Sequence, residues 1–176
     1  EATSEFIPKG ADLTKYFAID DMVVCKITNV TSQKLVDKLR DLGLSPETGL
    51  AITGVRTRIK GKSPGYTVAV LGELDALICP GSRFADSKTG AAHVCGHNAQ
   101  LATMIGVAIG LIESQAMDYL EGEVVLLGTP AEEFIEIAFR EKLRQDNKIK
   151  FFGGKQELIR RGIFDDVDIA MMVHAL

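Results

Sequence analysis

The chain has 176 residues and a formal net charge of −4, with 46% hydrophobic and 25% charged residues. This is the composition of a globular domain with a real core, and it excludes disorder as the main state. Basic residues form no long run, so we expect no nucleic-acid partner. The longest apolar stretch, Leu101 to Ile112, falls short of the roughly 20 residues of a membrane span, so we expect no membrane partner.

The cysteine count and the start of the chain bear on its compartment. Three cysteines are an odd, sparse set that does not resemble a disulfide framework. The first residues, Glu1 to Ser4, have neither the basic nor the apolar region of a signal peptide. Both observations favour a cytoplasmic, reducing environment.

The first elements are an arm and a helix. Ala18 to Val30 fits either a strand or an irregular segment, and we assign residues 1–31 to an N-terminal arm. A helix is predicted over Ser32 to Leu42, where leucines recur at helical spacing and Gly43 is a natural stop.

Two strand patterns follow, over Ala51 to Ile59 and over Tyr66 to Leu74. The glycines and the proline between them predict a hairpin whose second strand is buried on both faces. A loop rich in Gly, Pro, Ser and Asp is then predicted over Ile78 to Gly90.

The second half alternates helices and strands, which predicts an α/β fold with a central, mostly parallel or mixed sheet and helices on both faces. Gly106 and Gly110 are interpreted as a point of close helix–sheet packing. Ligands of such sheets bind beyond the carboxyl ends of strands. The predicted elements are a helix from Asn98 to Ser114, a strand from Glu123 to Leu127, a helix from Phe134 to Lys148, a short helix from Lys155 to Arg161, and a buried strand from Val167 to Val173.

The histidines and one cysteine suggest a metal site. His93, Cys95 and His97 fall within five residues, and His174 follows an apolar strand. Imidazole nitrogen and thiolate sulfur are usual ligands of zinc and similar ions. The start of the following helix favours Cys95 as a thiolate. Among these four residues, His93 is the weakest candidate for a metal ligand. It would instead face the substrate or orient a ligand.

Two acidic pairs also fall at strand ends. Glu132 and Glu133 follow the most apolar strand, so one carboxylate can bind metal while its neighbour handles protons, as metal-assisted hydrolysis requires. Glu73 and Asp75 fit three roles, as ligands, as acceptors that orient a ligating histidine, or as loop caps.

Four motifs in this order resemble metallopeptidase family twenty, an amidohydrolase group that includes aminoacylases, carboxypeptidase G and plant auxin-conjugate hydrolases. The resemblance covers about Leu35 to Leu176 and is strongest to the subgroup of aminobenzoyl-glutamate hydrolases and β-alanyl-lysine-type dipeptidases. The motifs are Leu71-Gly-Glu-Leu-Asp-Ala-Leu77, His93-Val-Cys-Gly-His-Asn98, Thr129-Pro-Ala-Glu-Glu133 and Asp168-Ile-Ala-Met-Met-Val-His174.

The resemblance implies a zinc-exopeptidase-like catalytic domain with two divalent ions, zinc or manganese. It implies metal ligation by Cys95, His97, Glu133 and His174, with Glu132 as the general base that activates the attacking water. The expected substrates are N-acyl amino acids or small dipeptides, and the full-length form is expected to be a homodimer.

Three further residues match family positions outside the ligand set. Asp75 matches a residue that orients a ligand, and His93 matches a motif histidine of open role. Asn98 stands where many relatives have Asp, whereas the favoured subgroup carries Asn, so this position bears on the substrate.

The length departs from the family pattern. Family members carry a lid-like domain after the His174 region and then a further histidine ligand, so residues 32–176 are predicted to be a truncated, N-terminal portion of the catalytic domain. One alternative is therefore a catalytically incomplete fragment or homologue that binds metal or a partner without turnover. Another is a hydrolase with Cys95 as nucleophile and His97 or His174 as base, which would leave the glutamate pair idle.

Overall fold

The computed structural model describes residues 29–174. These residues contain seven strands and four α-helices, with a short 3-10 helix at Ala116–Asp118. The elements in chain order are α1 (Asn29–Asp41), β1 (Glu47–Leu50), β2 (Gly54–Lys60), β3 (Thr67–Glu73), β4 (Leu77–Ile78), β5 (Ala91–Ala92), α2 (His97–Glu113), β6 (Glu123–Thr129), α3 (Ile137–Gln145), α4 (Gly154–Arg160) and β7 (Ile169–Met171).

Five strands form one mixed sheet in the order β1-β2-β6-β3-β7, and β4 and β5 form a separate antiparallel pair. The central strand β6 runs antiparallel to β2 and parallel to β3, and β3 also pairs with β7 in parallel. The predicted α/β class with a mixed sheet is confirmed.

Strand β6 is the centre of the core because its side chains are buried on both faces of the sheet. Leu126 packs with Met104 of α2 in one cluster, while Val125 and Leu127 pack with Leu158 of α4 in another. Burial of each large aliphatic side chain contributes about 1.5–3 kcal/mol. The helices thus cover both faces, as predicted, and they fix the end of β6 from two sides.

The predicted hairpin between the strands at 51–59 and 66–74 is wrong, because β6 lies between β2 and β3 and pairs with both. The linker between the two strands explains the difference. Gly61 donates its N–H to the Gly122 carbonyl (2.8 Å), and Gly122 donates its own to the Ser63 carbonyl (2.8 Å). The linker is therefore tied to the segment that leads into β6. The burial of β3 on both faces is as predicted.

The predicted buried strand at 167–173 is shorter and lies on the sheet edge. Ile169 and Met171 of β7 are 48% and 54% exposed, because β7 pairs with β3 on one side only within the described residues. An apolar run alone does not distinguish a central strand from an edge strand.

Smaller differences concern the chain's first half. The predicted arm at 1–31 lies outside the described residues except for its last three, which form the first turn of α1. Strand β1 was not predicted, because its sequence Glu-Thr-Gly-Leu has no apolar alternation. Across the described ranges, no helix is long and apolar enough to cross a bilayer.

The close approach of α2 to the sheet is made by a glycine of β3, and Gly106, one of the two helix glycines predicted to make it, takes no part. A Cβ on Gly72 would lie 2.9 Å from Leu101 Cδ2, whereas a Cβ on Gly106 would have nothing within 4 Å. The small residue that permits this packing is therefore in the strand.

Gly154, at the start of α4, touches the loop that leaves β6. Its N–H donates to the Ala131 carbonyl at 3.0 Å, and a Cβ there would lie 1.5 Å from the Pro130 carbonyl oxygen. This contact leaves no room for a side chain, so α4 is positioned directly against the loop that carries Glu132 and Glu133.

We expect Gly154→Ala to destabilise the protein by about 2 kcal/mol or more, because a backbone carbonyl must move to admit the methyl group. The matched control, Gly106→Ala in the interior of α2, should stabilise it by about 0.5–1 kcal/mol, because that Cβ enters open space. Urea unfolding midpoints measure both changes. Equal midpoints for Gly154→Ala and the unsubstituted chain would contradict the contact.

Candidate metal centre

The carboxyl ends of β3 and β6 bring two acidic segments together. The strands are parallel and register Glu73 opposite Thr129. Asp75 therefore follows one strand at the same edge where Glu132 and Glu133 follow the other. The start of α2 meets this edge, where Gly96 adopts a left-handed conformation (φ 82°) just before His97. Three chain segments thus converge beyond the sheet.

His97 lies at the centre of this convergence and is 1% exposed. Its Nδ1 donates to the Asp75 carbonyl oxygen at 2.9 Å and lies 3.3 Å from Asp75 Oδ1. Its Nε2 lies 2.9 Å from Glu73 Oε2, 3.7 Å from Glu132 Oε2 and 3.9 Å from Glu133 Oε1. Four carboxylates therefore surround one imidazole.

These carboxylates decide the charge of the imidazole. Burial disfavours the charged form, but the close carboxylates of Asp75 and Glu73, together with the bond to the Asp75 carbonyl, outweigh it and raise the pKa of His97 to about 11. Without a bound cation, a proton on His97 supplies the positive charge that the surrounding acids require.

Glu73 is buried and belongs to a hydrogen-bonded network. It accepts from Gln100 Nε2 at 3.0 Å and forms an ion pair with Lys155. Burial opposes its ionisation. Interactions of the carboxylate with His97, Lys155 and Gln100 outweigh this effect and lower the pKa of Glu73 to about 2. The carboxylate is therefore ionised throughout the physiological range.

Sequence reasoning left the role of Glu73 open and missed both Gln100 and Lys155. Gln100 is three residues from His97 in α2, and this spacing puts both on one helix face, which could have indicated it. Lys155 gave no signal, because a lysine in the first turn of a short helix is typical of an exposed surface.

Cys95 and His174 approach the same centre from another side. Cys95 Sγ lies 3.9 Å from His174 Nε2, and the rings of His97 and His174 are 6.1 Å apart, edge to face. The neighbouring carboxylate of Glu133, followed by burial, raises the pKa of the Cys95 thiol. The thiolate predicted from the helix start is therefore not favoured here unless a cation offsets Glu133.

Two overlapping groups of ligand atoms result, each with all atoms within 4.8 Å of one another. One contains Cys95, His97 and His174, and the other contains Glu73, His97 and Glu132. Glu133 lies beside both, with its carboxylate near Cys95 and its backbone N–H donating to Asp75 Oδ2 at 2.9 Å, but it belongs to neither group. Three of the four predicted ligands are thus brought together directly.

His93 and Asn98 lie on the border of the centre. His93 is half-buried, and neither ring nitrogen has a hydrogen-bond partner among residues 29–174. Burial, and then the charge of His97, lower the pKa of His93, which keeps its ring neutral. Asn98 is half-buried in the first turn of α2 and belongs to neither group of ligand atoms.

The donors present fit divalent metal ions. Within the described residues, Glu133 Oε1 is enclosed without a hydrogen-bond partner. Asp75 Oδ1 and His97 Nε2 are enclosed too, and their close contacts are the charge contacts with His97 Nδ1 at 3.3 Å and with Glu73 Oε2 at 2.9 Å rather than well-oriented hydrogen bonds. Buried polar atoms without partners are uncommon and point to an absent ion or water. Sulfur, nitrogen and oxygen donors together are what zinc, manganese and similar ions accept.

Comparison with known proteins gives relatives along most of the chain. Thermostable carboxypeptidase 2 of Saccharolobus solfataricus is 31% identical over 148 residues, which cover 82% of this chain and 33% of that protein. The N-acyl-L-amino acid amidohydrolase of Geobacillus stearothermophilus is 30% identical over 147 residues, covering 82% and 35%. No protein-family model matches the chain.

Comparison with solved structures gives relatives of the same kind. Bacillus subtilis YxeP, described as a dinuclear metal-binding peptidase from the M20 family, matches with a TM-score of 0.62 and 25% identity, covering 81% of this chain and 36% of that one. The chain belongs to the M20 family. A Staphylococcus aureus protein assigned as an aminohydrolase matches with a TM-score of 0.70 and 26% identity, covering 90% and 39%.

Membership of the M20 family, metallopeptidase family twenty, confirms the resemblance stated from the sequence. The chain spans about a third of the length of the curated M20 relatives that it matches.

We expect the ring protons of His97, followed by NMR in chelator-treated protein, to show a protonated imidazole up to about pH 10, since its pKa is raised to about 11. Asp75→Asn should lower that pKa, because it removes a charge 3.3 Å from Nδ1. Only three histidines are present, so assignment is simple.

His93 is an internal reference for this titration, since its pKa is lowered and its ring should be neutral at pH 7. The control is Asp118→Asn, which removes an exposed charge beyond the far end of α2 and should leave the His97 titration unchanged. A His97 that titrates near the unperturbed value of about 6.5 would contradict the described network.

Proposed function

We propose that this chain supplies part of the active site of a metal-dependent amidohydrolase. The enzyme would cleave the amide bond of N-acyl amino acids or small dipeptides with an activated water. The observation that carries the proposal is the buried His97, which is within 4 Å of Glu73, Asp75, Glu132 and Glu133. Its relatives are named as amidohydrolases and carboxypeptidases, and this supports the reaction class.

The proposed cofactor is a pair of divalent ions, zinc or manganese, held by Cys95, His97, Glu133 and His174. The description of YxeP as dinuclear supports the number of ions, and the mixed sulfur, nitrogen and oxygen donors support their type. When bound, such ions polarise the scissile carbonyl and lower the pKa of water.

Glu132 is the proposed general base. Its side chain is 36% exposed, so the carboxylate can reach both the enclosed centre and a substrate at the surface. Burial, and then the charge of Glu73, raise the pKa of Glu132, which strengthens it as a base. It would take a proton from the attacking water at its carboxylate oxygen and deliver it to the nitrogen of the leaving amine.

Asp75 and Glu73 are proposed to position His97. Asp75 binds Nδ1 through its carbonyl, which turns Nε2 toward the other donors. Glu73, fixed by Lys155 and Gln100, limits rotation of the ring from the opposite side. His93 and Asn98, on the border of the centre, are proposed to face the substrate.

The alternatives receive less support. Metal binding without turnover is not favoured by the relatives, which are named as enzymes. A Cys95 nucleophile would require a lowered thiol pKa, whereas Glu133 raises it.

We also propose the finer assignments made from the sequence. Residues 32–176 would be the N-terminal portion of the catalytic domain, and the full-length form would be a homodimer. A cytoplasmic location is consistent with the free thiols of Cys79 and Cys95.

We expect Glu132→Gln to lower hydrolysis of N-acetyl amino acids by at least about 100-fold, because the general base is lost. Metal content, measured by mass spectrometry, should be unchanged. The control is Glu136→Gln, an exposed acid four residues further along, which should retain both activity and metal.

Two further substitutions separate the alternatives. His97→Ala and Cys95→Ser should each lower the metal content. Loss of metal from Glu132→Gln would reverse the roles of Glu132 and Glu133, and full activity of Cys95→Ser with chelator would exclude the metal mechanism. A metal-loaded chain without turnover would favour the non-catalytic alternative.

A further inference from the structure

A cavity of about 430 Å³ lies beside the metal centre, between the turn that joins β1 to β2, the loop after β6, and helices α3 and α4. Its walls are mainly apolar and include Ile52, Phe139, Leu143, Ile149 and Phe151. The volume lies in the range of small-molecule sites. Of the residues around His97 described above, it shares Asp75 alone with the centre.

One buried cation lines this cavity. Arg140 of α3 is 7% exposed and donates from Nη1 to the Phe152 carbonyl at 3.1 Å. Within residues 29–174, no carboxylate forms an ion pair with its guanidinium, and the bond to Phe152 is the one hydrogen bond of this side chain. A guanidinium carries five N–H donors, so most of them are unused. A buried charge without a contact partner is costly, and this cost is relieved when an anion binds.

The acids near Arg140 do not supply that partner. Glu157 lines the same cavity, but its carboxylate accepts from Arg160, Arg161 and the backbone N–H groups of Lys150 and Phe151. Asp75, Glu136 and Glu133 influence Arg140 only through longer-range charge. The guanidinium is therefore in a negative surrounding without a direct counter-ion.

The unused donors of Arg140 are accessible from the cavity. Among the described residues, fully enclosed side-chain atoms without a partner occur at Ser63, Asp75, His93, His97 and Glu133, but not at Arg140. Its free nitrogens therefore retain open space beside them.

We propose that this cavity, here called the Arg140 cavity, binds a monocarboxylate with an apolar body. The planar fork of a guanidinium matches a carboxylate in a bidentate pair. The three neighbouring acids disfavour a dianion such as phosphate, and the apolar walls suit an alkyl or aryl chain. The inference does not depend on the proposed hydrolase activity.

The test uses the complete chain with chelator present, so that a carboxylate cannot bind through metal. The chain contains no tryptophan, so Phe139→Trp places a single fluorescent reporter in the cavity wall. The probes are 4-phenylbutanoate and its neutral analogue 4-phenylbutanamide. We expect saturable binding of the carboxylate, with the amide at least about tenfold weaker, because the neutral amide forms no ion pair with the guanidinium and has one acceptor oxygen where the carboxylate has two.

Substitutions in the reporter background locate the charge. Arg140→Met should weaken carboxylate binding at least about tenfold, and Arg140→Lys should weaken it less, because the charge is kept and the fork is lost. The matched control is Lys142→Met, which removes an exposed positive charge from the same helix and should leave binding unchanged.

Calorimetry on the unsubstituted chain checks the reporter, and circular dichroism checks folding. If Arg140→Met does not fold, the affinity of the Arg140→Lys variant and the comparison of carboxylate with amide still test whether the guanidinium binds the carboxylate. Equal affinity for carboxylate and amide, or equal affinity in the Arg140 and Lys142 variants, would overturn the proposal. So would the absence of binding up to about 10 mM carboxylate, which is weaker than any useful site.

Discussion

The contact on which the site depends is that of the buried His97 ring with the residues after β3. One ring nitrogen donates to the Asp75 carbonyl and the other lies 2.9 Å from the Glu73 carboxylate. This pair of contacts joins the start of α2 to the end of β3. Because a buried imidazolium and buried carboxylates are each costly alone, the arrangement is stable only when positive and negative charges are present together.

The sequence predicted the parts of this site that are local. The Glu73–Asp75 and Glu132–Glu133 pairs follow β3 and β6, whose parallel pairing brings their ends to one edge. His93 to His97 belongs to one short segment that leads into α2. The prediction of a hairpin was wrong because strand pairing is set by contacts between residues far apart in the sequence. The linker after β2 bonds to residues before β6, about 60 positions away, and no local pattern records this.

The residues that sequence reasoning missed share a physical reason. Lys155 is 82 positions from Glu73, and its partner is chosen by the close approach of α4 to the loop after β6. Arg140 is on a charged helix whose sequence is typical of an exposed surface, and its one side-chain hydrogen bond is to the Phe152 carbonyl, 12 positions further along the chain. In both cases the charge is visible in the sequence, but the environment that gives it a function is tertiary.

The charge balance of the centre supports the proposed pair of ions. Glu73, Asp75, Glu132 and Glu133 surround His97, and Lys155 forms an ion pair with Glu73. Metal ligands must be deprotonated, so we count Cys95 as a thiolate and His97 as neutral. The centre then has five negative charges, from four carboxylates and one thiolate, and one positive charge, from Lys155. The remainder is four negative charges, which two divalent ions would neutralise. A single ion would leave two of these charges uncompensated in a largely buried site, where the cost of unpaired charge is greatest.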